Sequence, residues 1–351
     1  MSRSINVVVI IACLLAAANA SAGTLVVANK SEATVSLVDT ETSEIRATLA
    51  TGEAPHEVGV SPKGRLALVT NYGTRETPGA TLTLVDIAAA SVLKTIDLGE
   101  YTRPHGIVWL DDRRAVVTAE DSRALIEVDV ENGEVVRAIA TDGDVSHMVA
   151  VARNRGLAFV ANIGSGSVTM IDLAVGTLLD VIPTGDGAEG IAVTPDGRQV
   201  WVTNRAEDTV SVIKTSSRSV IAKLEAGEFP IRAEATGDGR FVLVTNARGN
   251  DLAVFSTADL AEVGRIAFTA VGKDDDGRLF SDRFGTSSVP IGIEVVDGEQ
   301  RAYVAHANAD DISIVDLEQW KVIGTLNAGR EPDGMGWSPL TPVRDPEAAG
   351  D

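Results

Sequence analysis

The sequence predicts an all-β fold: one seven-bladed β-propeller built from four-stranded antiparallel blades. Three observations predict it. A unit recurs about every 42 residues, each unit holds four short strand-like runs, and the incomplete units at the two ends add up to one more blade.

The clearest unit begins Pro55-His56-Glu57-Val58 and continues through Leu66-Ala67-Leu68-Val69-Thr70-Asn71, Thr81-Leu82-Thr83-Leu84-Val85-Asp86 and Val92-Leu93-Lys94-Thr95-Ile96-Asp97. Apolar and polar residues alternate with the strand period of two, and Lys63-Gly64, Asp196-Gly197 and Asp238-Gly239 supply the glycines that tight hairpins need. Unit starts fall at Pro55, Pro104, Ser146, Ala188, Pro230, Pro290 and Pro332, with spacings of 49, 42, 42, 42, 60 and 42. Ahead of Pro55 stand three strand-like runs (Leu25 to Asn29, Thr34 to Asp39, Ile45 to Thr51), and after Pro332 stands one, Asp333 to Trp337. Pairing them closes the ring and leaves no open sheet edge. The expected organisation is a leader over 1–22, a propeller over 23–338 and a disordered tail over 339–351.

Composition bounds the function. The apolar run Val7 to Ala18, followed by Ala18-Asn19-Ala20 or Ala20-Ser21-Ala22, reads as a cleavable export signal, so the mature chain is expected in the periplasm or secreted. The run is too short to serve as a transmembrane segment. Cys13, the single cysteine, lies inside the leader, so no internal disulfide is expected. The formal charge of −20 becomes −21 once Arg3 leaves with the leader, a balance that repels polyanions and argues against nucleic-acid partners.

Leu68-Val69-Thr70-Asn71, Phe159-Val160-Ala161-Asn162, Trp201-Val202-Thr203-Asn204 and Leu243-Val244-Thr245-Asn246 resemble the YVTN family of propeller repeats, and the likeness runs over the whole mature chain. That resemblance implies a blade rather than an activity. The family is similar to surface-layer repeat proteins, periplasmic propellers and, more distantly, the cytochrome d1 and lactonase propellers.

Within a propeller, the start of each first strand and the end of each second strand share one face. Both departures from the 42-residue period fall there: seven extra residues around Thr74 to Ala80 and eighteen within Phe268 to Val289. The second residue of each unit is His56, His105, His147, Glu189, Ile231, Ile291 and Asp333 in turn, and His306 ends a second strand where other units carry Asn29, Asn71, Asn162, Asn204 and Asn246, with Glu120 as the other exception. Imidazole and carboxylate groups converging on a channel mouth suit a divalent transition metal, so His56, His105, His147, Glu189 and Asp333 form the candidate ligand set, against the plainer reading of a solvated rim. The repeated Asn reads as a turn cap bonding its own backbone.

The longer insertion carries Lys273-Asp274-Asp275-Asp276-Gly277-Arg278, then Arg283. Its three carboxylates lack the alternating order and distal Glu of a calcium loop, but a long loop beside a channel suits a lid or a partner contact. With His306, Arg103, Arg232 and Arg330, these residues are the candidate ligand or partner contacts. There is no Gly-x-Ser-x-Gly elbow, phosphate loop or haem-attachment motif. The expected function is an exported scaffold that binds a periplasmic protein or a small ligand. The alternative is a metal-dependent enzyme of lactonase or lyase type, and the resemblance adds an accessory role in periplasmic oxidation as a third reading.

Overall fold

The computed structural model describes residues 23–273, 277–296, 298 and 300–342. The leader, Asp274, Asp275, Asp276 and the tail beyond 342 lie outside the described residues. Seven four-stranded antiparallel sheets follow one another, and nothing but strand ladders and short turns forms them. Blade one runs Pro55–Val60, Leu66–Gly73, Pro78–Asp86 and Ser91–Asp97, and the six complete blades repeat this order. Blade seven is split: Pro332–Ser338 pairs with Thr24–Asn29, which pairs with Thr34–Asp39 and then Ile45–Ala50. First strands of successive blades touch around the ring, and Pro332–Ser338 touches Pro55–Val60 to complete it.

Burial follows from position. Second and third strands are covered on both faces by neighbouring blades and read as continuous apolar runs, such as Phe241-Val242-Leu243-Val244 and Asp251-Leu252-Ala253-Val254-Phe255. Fourth strands have one face in water and alternate, as Glu134–Ala140 does. Between blades one and two lie Leu68, Leu82, Trp109, Val117 and Ile126. Leu25, Val27, Tyr303 and Met335 do the same work where the split blade meets blade six, so both chain ends are packed into the ring. The tail begins ordered: Thr24 Oγ1 donates to Leu340 O at 2.6 Å, so the expected disorder does not start at 339. No helix among the described residues is long and apolar enough to cross a membrane.

The repeated Asn is a lock rather than a cap on its own turn. Asn204 Nδ2 donates to Thr209 Oγ1 at 3.0 Å and Ser211 Oγ at 2.9 Å, both on the neighbouring third strand. Asn29, Asn71 and Asn162 make the same bonds to hydroxyls, and Asn246 reaches Asp251. On its other side each of the five meets a glycine three residues before a blade start, Gly329, Gly52, Gly143, Gly185 or Gly227 in turn, where a Cβ would overlap the amide. Sequence position alone pointed to a local cap because the partner strand is invisible in it. The lock predicts a coupled pair of substitutions. Asn162→Ala strands buried hydroxyls, Gly143→Ala overpacks, and each is expected to cost ~1–3 kcal/mol. Because truncating Asn162 makes room for the new methyl, the double variant should cost at least about 1 kcal/mol less than the two single costs combined, measured by urea unfolding. Simple additivity would show that the two residues do not share a lock.

Candidate functional site

Each first strand carries a β-bulge at its beginning. In blade one Pro55 pairs with Asn71, the ladder then skips, and Val58 pairs with Val69; the other blades show the same break. A bulge takes residues out of the ladder and re-aims them, and here it turns all seven second residues onto one cavity of about 160 Å³ at the channel mouth. The third residues decide how closely the strands approach. Gly106, Gly190, Gly292 and Gly334 let neighbouring backbone press in, whereas Glu57 and Arg232 reach across the channel and pair at 2.5 Å. That buried pair stoppers the channel. Burial disfavours the charge on Arg232, but Glu57, Asp333 and Glu189 outweigh it and raise its pKa.

Three imidazoles line one side. His56 and His105 have ring centroids 4.9 Å apart, His105 and His147 3.7 Å, and Tyr72 lies 4.3 Å from His56. Burial, followed by Lys30 for His56 and by His147 for His105, pushes both pKa values well down, so these two rings are neutral. His56 Nδ1 donates to Ala54 O at 2.8 Å. His147 differs. Burial opposes its charge, yet the carboxylate of Glu120, bonded to Nδ1, and that of Glu189, 3.4 Å from Nε2, raise its pKa. Tyr72 donates its hydroxyl to the other oxygen of Glu120 at 2.5 Å, and burial together with Glu120 raises the phenol's pKa.

The opposite side is aromatic and cationic. Phe229, Phe280 and Phe284 stand beside Arg283, whose guanidinium lies 5.1 Å from the Phe229 ring, while Lys30 lies 5.3 Å from that of Phe280. Phe280 and Phe284 come from the longer insertion, which forms a short helix over Ser281–Phe284 and is tied down where Arg278 and Lys273 both grip Asp310. Burial works against that carboxylate, but Arg278 leads a set of partners that hold it at about 2. Lys273 and Arg278 thus form a cationic clamp on Asp310, while Asp274, Asp275 and Asp276 between them lie outside the described residues. The shorter insertion is not a separate loop but a lengthened hairpin, Leu66–Gly73 with Pro78–Asp86, which carries Tyr72.

Of the candidate metal ligands, His105 and His147 meet each other and Glu189 stands next to His147. His56 is one ring further on, and Asp333 is held by Lys30 at 3.0 Å. Of the candidate ligand contacts, Arg232 and Arg283 line the cavity, whereas Arg103 stands over the outer side of Tyr72 and pairs with Asp121, and Lys273 is on the clamp. His306 is a correction. It is fully buried inside blade six, with Nδ1 against Ser288 Oγ at 2.7 Å and Nε2 against Ser313 Oγ at 2.8 Å, so it is a lock residue with no nitrogen to offer a ligand. Sequence reasoning missed Glu57, Tyr72, Lys30, Arg205 and Phe229. Glu120 is a second correction: the first hairpin of blade two is one residue shorter, so Ala119 takes the Asn position and Glu120 takes that of Tyr72, Arg205 and Lys30.

Residues 109–235 match a family model described as YNCE-like beta-propeller. That match agrees with the YVTN-type repeat. Among solved structures, the chain is similar to a functionally unknown protein from Desulfotomaculum acetoxidans DSM 771, at 15% identity and a TM-score of 0.74, covering 91% of this chain and 99% of that one. It is also similar to Kuenenia stuttgartiensis hydrazine synthase, at 20% identity and a TM-score of 0.67, covering 84% and 92%. At these identities both show the fold alone. No curated protein matches the sequence.

Burial alone pulls the pKa of His306 down to about 4, so the folded chain resists a proton that the unfolded chain takes up near 6.5. Its stability contribution is therefore complete above about pH 6.5 and lost as pH falls towards 4. His306→Asn restores the residue that five other blades use. Between those pH values the parent should lose on the order of 3 kcal/mol more than the variant, read from urea midpoints across pH. Parallel losses would show that His306 does not titrate as its burial requires.

Proposed function

We propose that this chain is an exported β-propeller, periplasmic or secreted, that serves as a binding scaffold for a small organic acid held at the mouth of its channel. The observation that carries the reading is the way the ion pairs of the cavity stand on end. Lys30 is 13% exposed above an Asp333 that is 3% exposed, and Arg205 is 27% exposed above a Glu189 that is 4% exposed. Arg283 is exposed over the phenyl rings. On a chain of charge −20, the face offered to a ligand is thus cationic, with the neutralising carboxylates beneath it. Partly desolvated guanidinium groups recognise carboxylates strongly, and Phe229, Phe280, Phe284, Ile231 and Ile291 supply an apolar wall for the rest of such a molecule.

The concavity favours a small ligand over a protein surface, and the tied insertion makes one wall of the cavity instead of a free docking arm. The leader over 1–22 supports export. In calorimetric titrations against a panel of aromatic and aliphatic monocarboxylates, at least one is expected to saturate one site per chain while its neutral amide does not. Arg205→Ala and Arg283→Ala should each weaken it at least tenfold. Equal affinity for acid and amide, or no saturable binding across the panel, would refute the reading.

A further inference from the structure

The seven blades can be compared with one another, and the comparison isolates blade two. Five blades share a complete lock: Asn at the end of the second strand, a hydrogen-bonding side chain on the third strand, and glycine three residues before the blade start. Blade six replaces all of this at once, with His306 on Ser288 and Ser313 and with Ser287 in place of the glycine, and the lock persists. Blade two replaces it and the lock is gone. The third strand offers Ala124 and Ile126 where the other blades present donors or acceptors, Tyr101 stands at the glycine position, and Ala119, paired with Pro104 and Ala124, stands where Asn would. The next residue, Glu120, holds the position of Tyr72, Arg205 and Lys30 in their own blades, and it meets Tyr72 and His147 at the channel mouth.

From this we infer that Glu120, His105 and His147 form a divalent transition-metal site set into the wall of the cavity. One ligand atom from each of the three lies within 4.8 Å of the others, and all three residues are buried. Ligands about 2.1 Å from a metal stand ~3.4 Å apart in a tetrahedral site, so closing this one requires the three groups to draw together by up to about 1.4 Å. Two ring nitrogens need a partner: His105 Nδ1 and His147 Nε2 are buried without a hydrogen bond. A buried polar atom left unpaired is costly, and a cation at this point relieves that cost. Two imidazoles and one carboxylate match zinc, copper(II) or cobalt(II) and are a poor match for calcium or magnesium, which take all-oxygen shells. Tyr72, bonded to Glu120, orients the carboxylate from behind, as supporting groups of metal ligands do. Glu189, 3.4 Å from His147 Nε2, is positioned as a further oxygen ligand.

The site does not depend on the organic-acid reading, because it draws on blades one to four of the wall and uses neither Arg283 nor Lys30. The test is cobalt(II) added to chelator-stripped mature chain and followed by visible absorption, with zinc(II) as competitor. One equivalent of cobalt should develop ligand-field bands that zinc abolishes. His105→Ala and His147→Ala should remove the bands, and Glu120→Gln, which keeps the hydrogen bond from Tyr72, should weaken binding at least tenfold. His306→Asn should leave the titration unchanged, which separates metal loss from damage to a blade, and circular dichroism checks that each variant is folded. Arg283→Ala should keep the cobalt bands whether or not it binds acids. The proposal is overturned if the stripped, folded chain takes up no stoichiometric cobalt or zinc at micromolar concentration, or if uptake survives loss of both histidines.

Discussion

A propeller is held shut by one ladder, and in this chain it joins residues about three hundred positions apart. Thr24 stands opposite Ser338, Leu25 opposite Trp337 and Val26 opposite Gly336. Without a disulfide among the described residues, this pairing and the packing of Leu25, Val27 and Met335 between blades are what keep blade seven from peeling open. The closure also assembles the site. Asp333 arrives beside Lys30 only because the last strand lies inside the first, and Gly334 allows that strand to press against the backbone of His56.

The count of blades, the split unit and the starts of the first strands were legible because a repeat aligns with itself. Any residue that recurs at one position in several units is marked as structural or as ring-forming before a structure is known. The ring of second residues was legible for the same reason, and the cavity contains all seven of them. Pairings between blades were not. Nothing in the spacing of Glu57 and Arg232 brings together two residues 175 positions apart, and only the bulge at each first strand, which a two-residue period conceals, turns them across the channel. Tyr72 was hidden differently, one residue past the apparent end of a second strand that in fact runs on to Gly73.

His306 and Glu120 show how to read a break in a repeat. By residue count both replace the same Asn, and on sequence alone His306 looks the more functional because imidazole is the commoner ligand. The partner positions decide otherwise. Around His306 the hydroxyl of Ser313 is retained and Ser288 is supplied, so the substitution preserves the interaction that it replaces. In blade two the Asn position itself is Ala119, facing Ala124, and Glu120 is the following residue, which shares with Tyr72, Arg205 and Lys30 a place at the channel mouth. Register, not residue count, decides which position of the repeat a break occupies.

The electrostatics of the cavity follow from this division. Blades one to three contribute neutral rings at His56 and His105 and a protonatable His147 backed by acids, while blades four, five and the longer insertion contribute guanidinium groups over phenyl rings. Glu57 and Arg232 join the two halves, and as a desolvated pair they are costly to separate, so the floor keeps its shape whatever lies above it. A small acid drawn to the guanidinium side would sit next to the imidazole side. The same closed ring can therefore present a cationic grip and a metal-binding wall to one molecule, with Glu189 standing between them against both Arg205 and His147.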